Sequence, residues 1–567
     1  MPRLSYDHCA SPLPFLGETI GECLKRVSQA HPQSDAVVSR HQHVRLSYRE
    51  FDDRVDRVAR SLLALGVEKG DRVAIWATNS WEWVAAQFGT ARIGALLVTV
   101  NPAYRVHEFE YVLRDSRARV LMLAESFKSS DYMQMTYDVV PELRGSEAGN
   151  LGSERLPHLK AAVLLGSGPR PGIMDHPTFL TLGDGLPASA LADRAAQLEI
   201  DDEINIQYTS GTTGFPKGVV LTHHNIVNNA NLVARTMLVT SEDRLCVPVP
   251  FYHCFGMVLS SLLVVTQGAT MVLPAPSFDP DATLRAIQDE RCTVLHGVPT
   301  MFIAQLEHPH FQDFDLRSLR TGIMAGAPCP IEVMRQVIER MHMTDILIGY
   351  GQTEASPLCT ITLPNDPLER RVSTIGRVLP HQEIKVVDTA TGHMVPRGLQ
   401  GELCVRGYHV MAHYDNQPEA TAAAIDPRGW LHTGDLGTMD GAGYLNITGR
   451  IKDLVIRGGE NVYPREIEEF LHTLPAIADA YVVGVPDVRF GEELLAAVRL
   501  HPGVTPPTPE EFRAMCNGRI AHYKVPRYWM IVDEFPMTVT GKVQKFKIRE
   551  MGIEEFDLGR AAGIETA

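Results

Sequence analysis

Residues 204–222 bound what this chain can fold into. Ile204-Asn205-Ile206-Gln207-Tyr208 alternates apolar and polar side chains, the period of a half-buried strand. Thr209-Ser210-Gly211-Thr212-Thr213-Gly214-Phe215-Pro216-Lys217-Gly218 follows, and Val219-Val220-Leu221-Thr222 is a second short apolar run. Strand, glycine-rich turn and strand in succession describe an anion cradle. Glycine lets the backbone come close to a ligand, successive N–H groups can converge on one phosphate, and Lys217 brings a positive charge. The bland alternative is a solvated Ser/Thr/Gly loop. The common phosphate loop is excluded, because Pro216 stands where its second glycine belongs. Gly166 and Gly168 start no G-x-G-x-x-G fingerprint, since Pro171 breaks it.

At 567 residues the chain has length for about four domain-sized units, and a large α/β core can merge several of them. A formal net charge of −15 argues against nucleic acid as the main partner while allowing a local basic pocket. Nine cysteines, an odd number with no C-x-x-C, read as reduced thiols, which points to the cytoplasm. His223-His224 and His308-Pro309-His310 have no acidic or cysteine companion at ligand spacing. The first residues lack the charged and apolar regions of a secretory signal. Apolar runs such as Val258–Val265 fall far short of the ~20 residues a spanning helix needs, so no transmembrane segment is expected.

Helical and strand-like patterns alternate from Ser47 onward. Ser47-x-x-Glu50 is a capping box ahead of Phe51, Val55, Val58, Leu62 and Leu65, and Gly66 closes that helix. Arg72–Trp76, Leu96–Val100, Val120–Leu123 and Ala161–Leu165 read as strands. Asn79 or Ser80 caps a helix running to Ala91, and Tyr111–Leu113 lies in another. This order predicts βαβ units and a mostly parallel sheet. The polar stretch 143–158 reads as a surface excursion and 184–202 as a linker. A second α/β stretch follows, with a helix over 225–237 and strands at Arg244–Val249, Thr293–Gly297 and Ile346–Tyr350. Beyond 372, short runs parted by glycine turns suggest antiparallel β structure. The tail reads as a compact α/β unit, with helices over 464–472 and 509–520 and strands at Ala480–Val483, Leu495–Leu500 and Trp529–Val532. The expected fold is α/β: a large N-terminal domain (1–450) of αβαβα-type layered sheets plus a β portion, and a small mobile α/β C-terminal domain (451–567).

The order T-S-G-T-T-G-x-P-K-G resembles the AMP-binding loop of the adenylate-forming superfamily, which includes acyl-CoA synthetases, luciferases and peptide-synthetase adenylation domains. Further motifs stand in that family's order: Gly326-Ala327-Pro328, Gly349-Tyr350-Gly351-Gln352-Thr353-Glu354, Trp430-Leu431-His432-Thr433-Gly434-Asp435, Gly449-Arg450-Ile451-Lys452-Asp453 and Thr540-Gly541-Lys542. Asn205-Ile206-Gln207, Arg457-Gly458-Gly459-Glu460-Asn461 and Val543-Gln544-Lys545-Phe546-Lys547 look most like the medium-chain acyl-CoA synthetase branch, family member 2 type.

The resemblance implies roles. Thr209, Ser210, Gly211, Thr212, Thr213, Gly214 and Lys217 would cradle the ATP phosphates. Gly326, Ala327 and Pro328 would flank the adenine, on which Tyr350 packs beside Gly351 and Gln352. Thr353 would touch the α-phosphate, and Glu354, with Thr209, would hold Mg²⁺. Asp435 and Arg450 would grip the ribose, Lys452 would be the hinge, and Gly458, Gly459 and Glu460 would lie on the CoA side. Lys542 would be the adenylation lysine, stabilising charge as a carboxylate attacks the α-phosphate.

These roles imply two half-reactions, acyl-adenylate formation with pyrophosphate release and then thioester formation with AMP release. The expected substrates are ATP, coenzyme A and a fatty acid. His253 would lie beside the carboxylate. Met257, Val298, Ile323, Met324 and Ala325 would line an acyl pocket, with Gly351 leaving room at its floor where acetate-specific relatives carry Trp. No acidic residue occurs in 245–270, so an α-amine would lack a partner and amino acids are disfavoured. A medium-length or branched aliphatic acid is therefore expected, from fatty acid metabolism. Rivals are an aryl-CoA ligase, a ligase or oxidase that hands the adenylate to a carrier thiol or to oxygen, and a non-catalytic AMP sensor. Homodimerisation stays open.

Overall fold

Trp76 is clamped between two aromatic rings, stacked on Phe109 at 4.0 Å and on Tyr132 at 3.8 Å. It ends the strand Arg72–Trp76, whose apolar run Val73-Ala74-Ile75-Trp76 is buried on both faces, as a central parallel strand requires. The computed structural model describes residues 3–209, 216–327, 329–457, 460–487, 490–517, 519–538 and 541–558. The chain divides into two units, one of His8–Glu383 with Val405–Leu431, the other of Met1–Asp7, Ile384–Cys404 and His432–Ala567.

The first unit holds two large sheets with flanking helices. An eight-stranded sheet runs in the order Met174–Asp175, Ala161–Leu164, Val120–Leu123, Arg72–Trp76, Leu96–Thr99, Glu203–Thr209, Lys217–Thr222, His413–Tyr414. It is parallel up to Glu203–Thr209 and antiparallel from there. A nine-stranded sheet is ordered Arg377–Val378, Leu358–Ile361, Asp345–Gly351, Thr321–Ala325, Val294–Leu295, Arg244–Cys246, Thr270–Leu273, Asp35–Ser39, Val44–Ser47. Its six middle strands are parallel and both edges antiparallel. The strand–loop–strand reading of 204–222 holds: Thr209 pairs with Lys217 where the hairpin opens into its loop.

Local signals explain most element ends. Ser47 Oγ accepts from Glu50 N–H and the Glu50 carboxylate returns to Ser47 N–H, starting the helix Tyr48–Ala64. Such a cap is worth about 1 kcal/mol. Ser80, rather than Asn79, caps Trp81–Arg92. Thr222 and Asn225 form a capping box, so that helix runs His223–Thr236, starting two residues before the expected 225. The strand from Arg244 stops at Cys246, short of Val249, ahead of Pro248 and Pro250, which carry no N–H for a ladder.

The stretch 143–158 is more than a surface excursion. Leu143, Leu151 and Leu156 belong to the core beside Trp76, and only Leu143 lies in a regular element, the helical turn Pro141–Gly145. The 184–202 linker contains a short helix, Ala190–Ala195. The helix expected to reach Ile520 ends at Cys516.

The second unit begins with a five-stranded sheet ordered Tyr6–His8, Gln382–Val387, Gly401–Gly407, Leu431–Met439, Leu445–Arg450. Its tail is a second sheet, Glu460–Val462, Val455–Arg457, Gly491–Leu500, Ile477–Asp487, with Tyr528–Ile531 beside Gly491–Leu500. Alternation along these strands makes two cores. Val482, Leu494, Ala496 and Trp529 pack with the helices Pro464–Leu471 and Pro509–Cys516. Val483, Leu495, Ala497 and Met530 pack on the opposite face with Ile548 of Lys545–Glu555. Among the described residues no helix is long and apolar enough to cross a membrane.

Candidate active site

Four neighbouring parallel strands in the first unit, Arg244–Cys246, Val294–Leu295, Thr321–Ala325 and Asp345–Gly351, deliver their carboxyl ends to one edge of the sheet. Open α/β sheets bind ligands at that edge. The segments leaving it carry His253, Val298, Gly326 with Ala327, and Gln352-Thr353-Glu354. Ala325 pairs with Gly349, so the 326–327 turn and the Tyr350–Glu354 segment leave side by side. Cys254 Sγ lies 3.7 Å from Thr353 Oγ1, which draws the 251–256 loop to the same place.

His253 caps the turn Cys254–Gly256. Its Nδ1 accepts from Phe255 N–H at 3.2 Å, so a neutral ring carries its proton on Nε2. Phe255 stacks on His296 at 5.6 Å, and burial pushes the pKa of His296 down to about 4, which keeps that ring neutral. Met257 is buried and its Sδ accepts from Gln207 Nε2 at 3.7 Å, tying it to the strand that precedes the glycine loop.

The strand geometry bears on two of the pocket candidates. Ile323 and Ala325 share a face of their strand, but Met324 points to the other, into a core with Met334 and Val337. Consecutive strand residues cannot line one cavity, so Met324 is core. Gly351 is explained by backbone proximity: a Cβ there would stand 1.8 Å from Pro357 O, the carbonyl that accepts Gln352 N–H at 2.9 Å. That contact favours glycine here independently of any room it leaves at a pocket floor.

At the glycine loop, the Tyr208 hydroxyl donates to Asp115 Oδ2 at 2.7 Å, and burial with this carboxylate holds its pKa above the usual phenol value. Tyr111 donates to Pro216 O at 3.2 Å. Ser210, Gly211, Thr212, Thr213, Gly214, Pro328, Gly458 and Gly459 lie outside the described residues. Glu354 Oε1 accepts from the Tyr414 hydroxyl at 2.9 Å, and Lys217 Nζ sits 5.0 Å from the centre of the same Tyr414 ring. Tyr414 belongs to no motif read from the sequence. Only pairing of its strand with Lys217–Thr222 brings it here.

The second unit holds the remaining candidates. Asp435 pairs in register with Arg450, and Arg450 Nε donates to Asp435 Oδ1 at 2.6 Å. A clamp from the neighbouring strand fixes the turn before Asp435. Glu402 Oε2 accepts from His432 Nδ1 at 2.8 Å, Glu402 Oε1 accepts from Gly434 N–H at 3.1 Å, and Thr433 Oγ1 donates to Leu403 O. Glu402, Cys404 and His432 converge within 4.8 Å. Their 2.8 Å contact is a hydrogen bond, closer than the about 3.3 Å between two ligands on one tetrahedral zinc. Glu402 carried no sequence signal, because its partners lie 30 and 32 residues away.

Lys452 sits in the exposed turn Ile451–Asp453. Arg457 is anchored by Glu493, only 1% exposed, at 2.6 Å, and Glu460 opens the strand Glu460–Val462. Lys542 occupies a tight turn, where Thr538 N–H donates to Lys542 O at 2.7 Å, Lys542 N–H donates to Thr538 Oγ1 at 2.9 Å, and Gly541 takes a φ of +76°.

Comparison with known proteins matches these features to one family. The AMP-binding enzyme family matches residues 24–415, and the AMP-binding enzyme C-terminal domain matches 466–542. YngI of Bacillus subtilis (strain 168), an acyl-CoA synthetase by name, is 52% identical over 544 residues, covering 96% of this chain and 99% of the relative. The mitochondrial medium-chain acyl-CoA ligase ACSF2 of Danio rerio is 44% identical over 548 residues, with 96% and 90% covered. The crystal structure of the anthranilate CoA ligase AuaEII in complex with anthranoyl-AMP superposes with a TM-score of 0.83 at 28% identity, covering 96% of this chain and 99% of that one. The chain belongs to the AMP-binding enzyme family and is an acyl-CoA synthetase.

Proposed function

We propose that the protein is an ATP-dependent fatty acid–CoA ligase for medium-length or branched aliphatic acids. One observation carries the reading. Thr353 and Glu354 leave the carboxyl end of a parallel strand beside the 326–327 turn, and Tyr414 links Glu354 to the exit of the glycine loop. The named relatives support the acyl class, the Danio rerio protein being a medium-chain ligase.

In this reading the acid carboxylate attacks the α-phosphorus of ATP. The bond to pyrophosphate breaks, and a mixed anhydride with AMP forms. The thiol of coenzyme A then attacks the acyl carbon and AMP leaves. His253, with its Nε2–H, orients a carboxylate oxygen. Lys217, Thr209 and the Ser210–Gly214 loop hold the phosphates. Tyr350, Gly351, Gln352, Gly326, Ala327 and Pro328 surround the adenine, and Asp435 and Arg450 grip the ribose. Thr353 meets the α-phosphate, and Lys542 stabilises charge built up there. Met257, Val298, Ile323 and Ala325 contact the acyl chain.

Glu354 with Thr209 would hold Mg²⁺. A half-buried carboxylate with one oxygen engaged fits a hard cation. Bound there, the ion would offset the negative charge of the triphosphate. Lys452 is the hinge on which the tail, 451–567, turns between half-reactions, bringing Gly458, Gly459 and Glu460 to coenzyme A. All nine cysteines are free thiols, which supports a cytoplasmic setting.

The test is pyrophosphate release across straight-chain acids from about C2 to C16, followed by CoA-dependent AMP release. A rate peak at medium length is expected. Release with benzoate-like acids alone favours the aryl-CoA reading. Adenylate formation with no CoA-dependent step favours transfer to a carrier thiol.

A further inference from the structure

Tyr414 touches both Glu354 and Lys217, two groups that the proposed reaction assigns to the triphosphate and its cation. Its hydroxyl donates to Glu354 Oε1 at 2.9 Å, and its ring lies under Lys217 Nζ at 5.0 Å. The backbone around it is stitched to both. Ala412 N–H donates to Val220 O and Asp415 N–H to Gly218 O, on the strand that leaves the glycine loop. Met411 N–H donates to Glu354 O at 2.9 Å. One short segment therefore fixes the carboxylate, its own peptide and the loop lysine together, and Tyr414 is 9% exposed within it.

A tyrosine suits this place for two reasons. A phenol donating to a carboxylate makes a charge-assisted bond that fixes one oxygen and aims the other. The aromatic face attracts an ammonium within about 6 Å of its centre. If the residue only filled space, phenylalanine would serve as well.

We propose that Tyr414 is a positioning residue that aims the Glu354 carboxylate at the divalent cation and holds the Lys217 ammonium toward the phosphates. The assignment rests on the role given to Glu354 above. It separates the work of hydroxyl and ring. The hydroxyl sets cation affinity through Glu354, and the ring sets ATP affinity through Lys217.

The experiment measures acid-dependent pyrophosphate release by the full chain as a function of Mg²⁺ at saturating ATP. Y414F should raise the half-saturating Mg²⁺ concentration about five- to tenfold, with the maximal rate recovered at high Mg²⁺ and the protein still folded at the assay temperature. Y414L should also raise the KM for ATP, which Y414F leaves alone. The double variant E354Q/Y414F should be no worse than E354Q, since the hydroxyl acts through that carboxylate. Wild-type Mg²⁺ dependence in Y414F overturns the assignment. So does a loss that follows only a fall in melting temperature, or additivity of Y414F with E354Q. Wild-type protein that releases no pyrophosphate with any acid overturns the proposed reaction, and this assignment with it.

Discussion

Asp435 and Arg450 face each other across two antiparallel strands, Arg450 Nε donating to Asp435 Oδ1 at 2.6 Å while the aspartate side chain is only 3% exposed. A buried carboxylate held by one arginine nitrogen is prepared to accept further donors, such as a pair of ribose hydroxyls. D435A should raise the KM for ATP at least tenfold, in keeping with about 1.5–3 kcal/mol for charged hydrogen bonds. It should also erase the preference for ATP over its dideoxy analogue. An unchanged KM would remove Asp435 from the nucleotide site. R450A should lower the melting temperature as well, because it takes a charged donor away from a buried carboxylate.

Lys542 should behave differently, since its turn is closed by bonds between the Lys542 backbone and Thr538. K542A should therefore keep the wild-type melting temperature. Acyl-adenylate formation should drop about 10²–10³-fold, the usual cost of losing one preplaced donor to a developing charge. CoA attack on chemically prepared acyl-AMP should stay within a few-fold of wild type. Equal loss in both half-reactions would refute a role confined to adenylation.

The parts of this fold that were legible in the sequence are those fixed by local physics. Ser47 with Glu50 announces a helix start, and Val73–Trp76 reads as a buried strand because four apolar residues in a row suit a sheet covered on both faces. The motif residues could be named because each sits in a short contiguous string. What stayed hidden depends on residues far apart in the chain. Tyr414 meets Glu354 across 60 positions, and Glu402 reaches His432 across 30. Leu143, Leu151 and Leu156 were masked by polar neighbours, although all three are core. The packing of Met324 and the close backbone approach at Gly351 were hidden for a related reason. Composition names apolar or small residues, but only the strand's alternation and the position of Pro357 O say which way they face and why.

Gly351 allows a direct test of that last point. A Cβ 1.8 Å from Pro357 O forces either the strand end or the 356–358 turn to move. G351A should thus cost about 1–3 kcal/mol of stability and lower the adenylation rate with every acid alike, because Thr353 and Glu354 follow directly. G351W should fare worse. A stably folded G351W enzyme that merely prefers shorter acids would restore glycine as a pocket-size determinant.

Four buried histidines give the protein a predictable acid response. Burial pushes the pKa of His223 and His409 down to about 3 and of His176 and His296 down to about 4. In the unfolded chain each titrates near 6.5. Below that pH the unfolded state takes up protons that the folded state refuses, so stability falls with falling pH. Each histidine contributes a slope approaching about 1.4 kcal/mol per pH unit until its folded pKa is reached. Glu82, Asp415 and Asp479, whose carboxyls burial pushes up, work in the opposite direction, adding stability as pH falls from their raised folded values to their unfolded ones, around pH 4. With four histidines refusing protons in the folded state, a decline in denaturation midpoint is expected from about pH 6.5 to 5. Among the described residues His409 has no hydrogen-bond partner on either ring nitrogen, which makes it the histidine to replace with least disruption. H409Q should flatten the decline by nearly one proton's worth. If its pH slope matches wild type, His409 is not among the groups that take up the proton on unfolding.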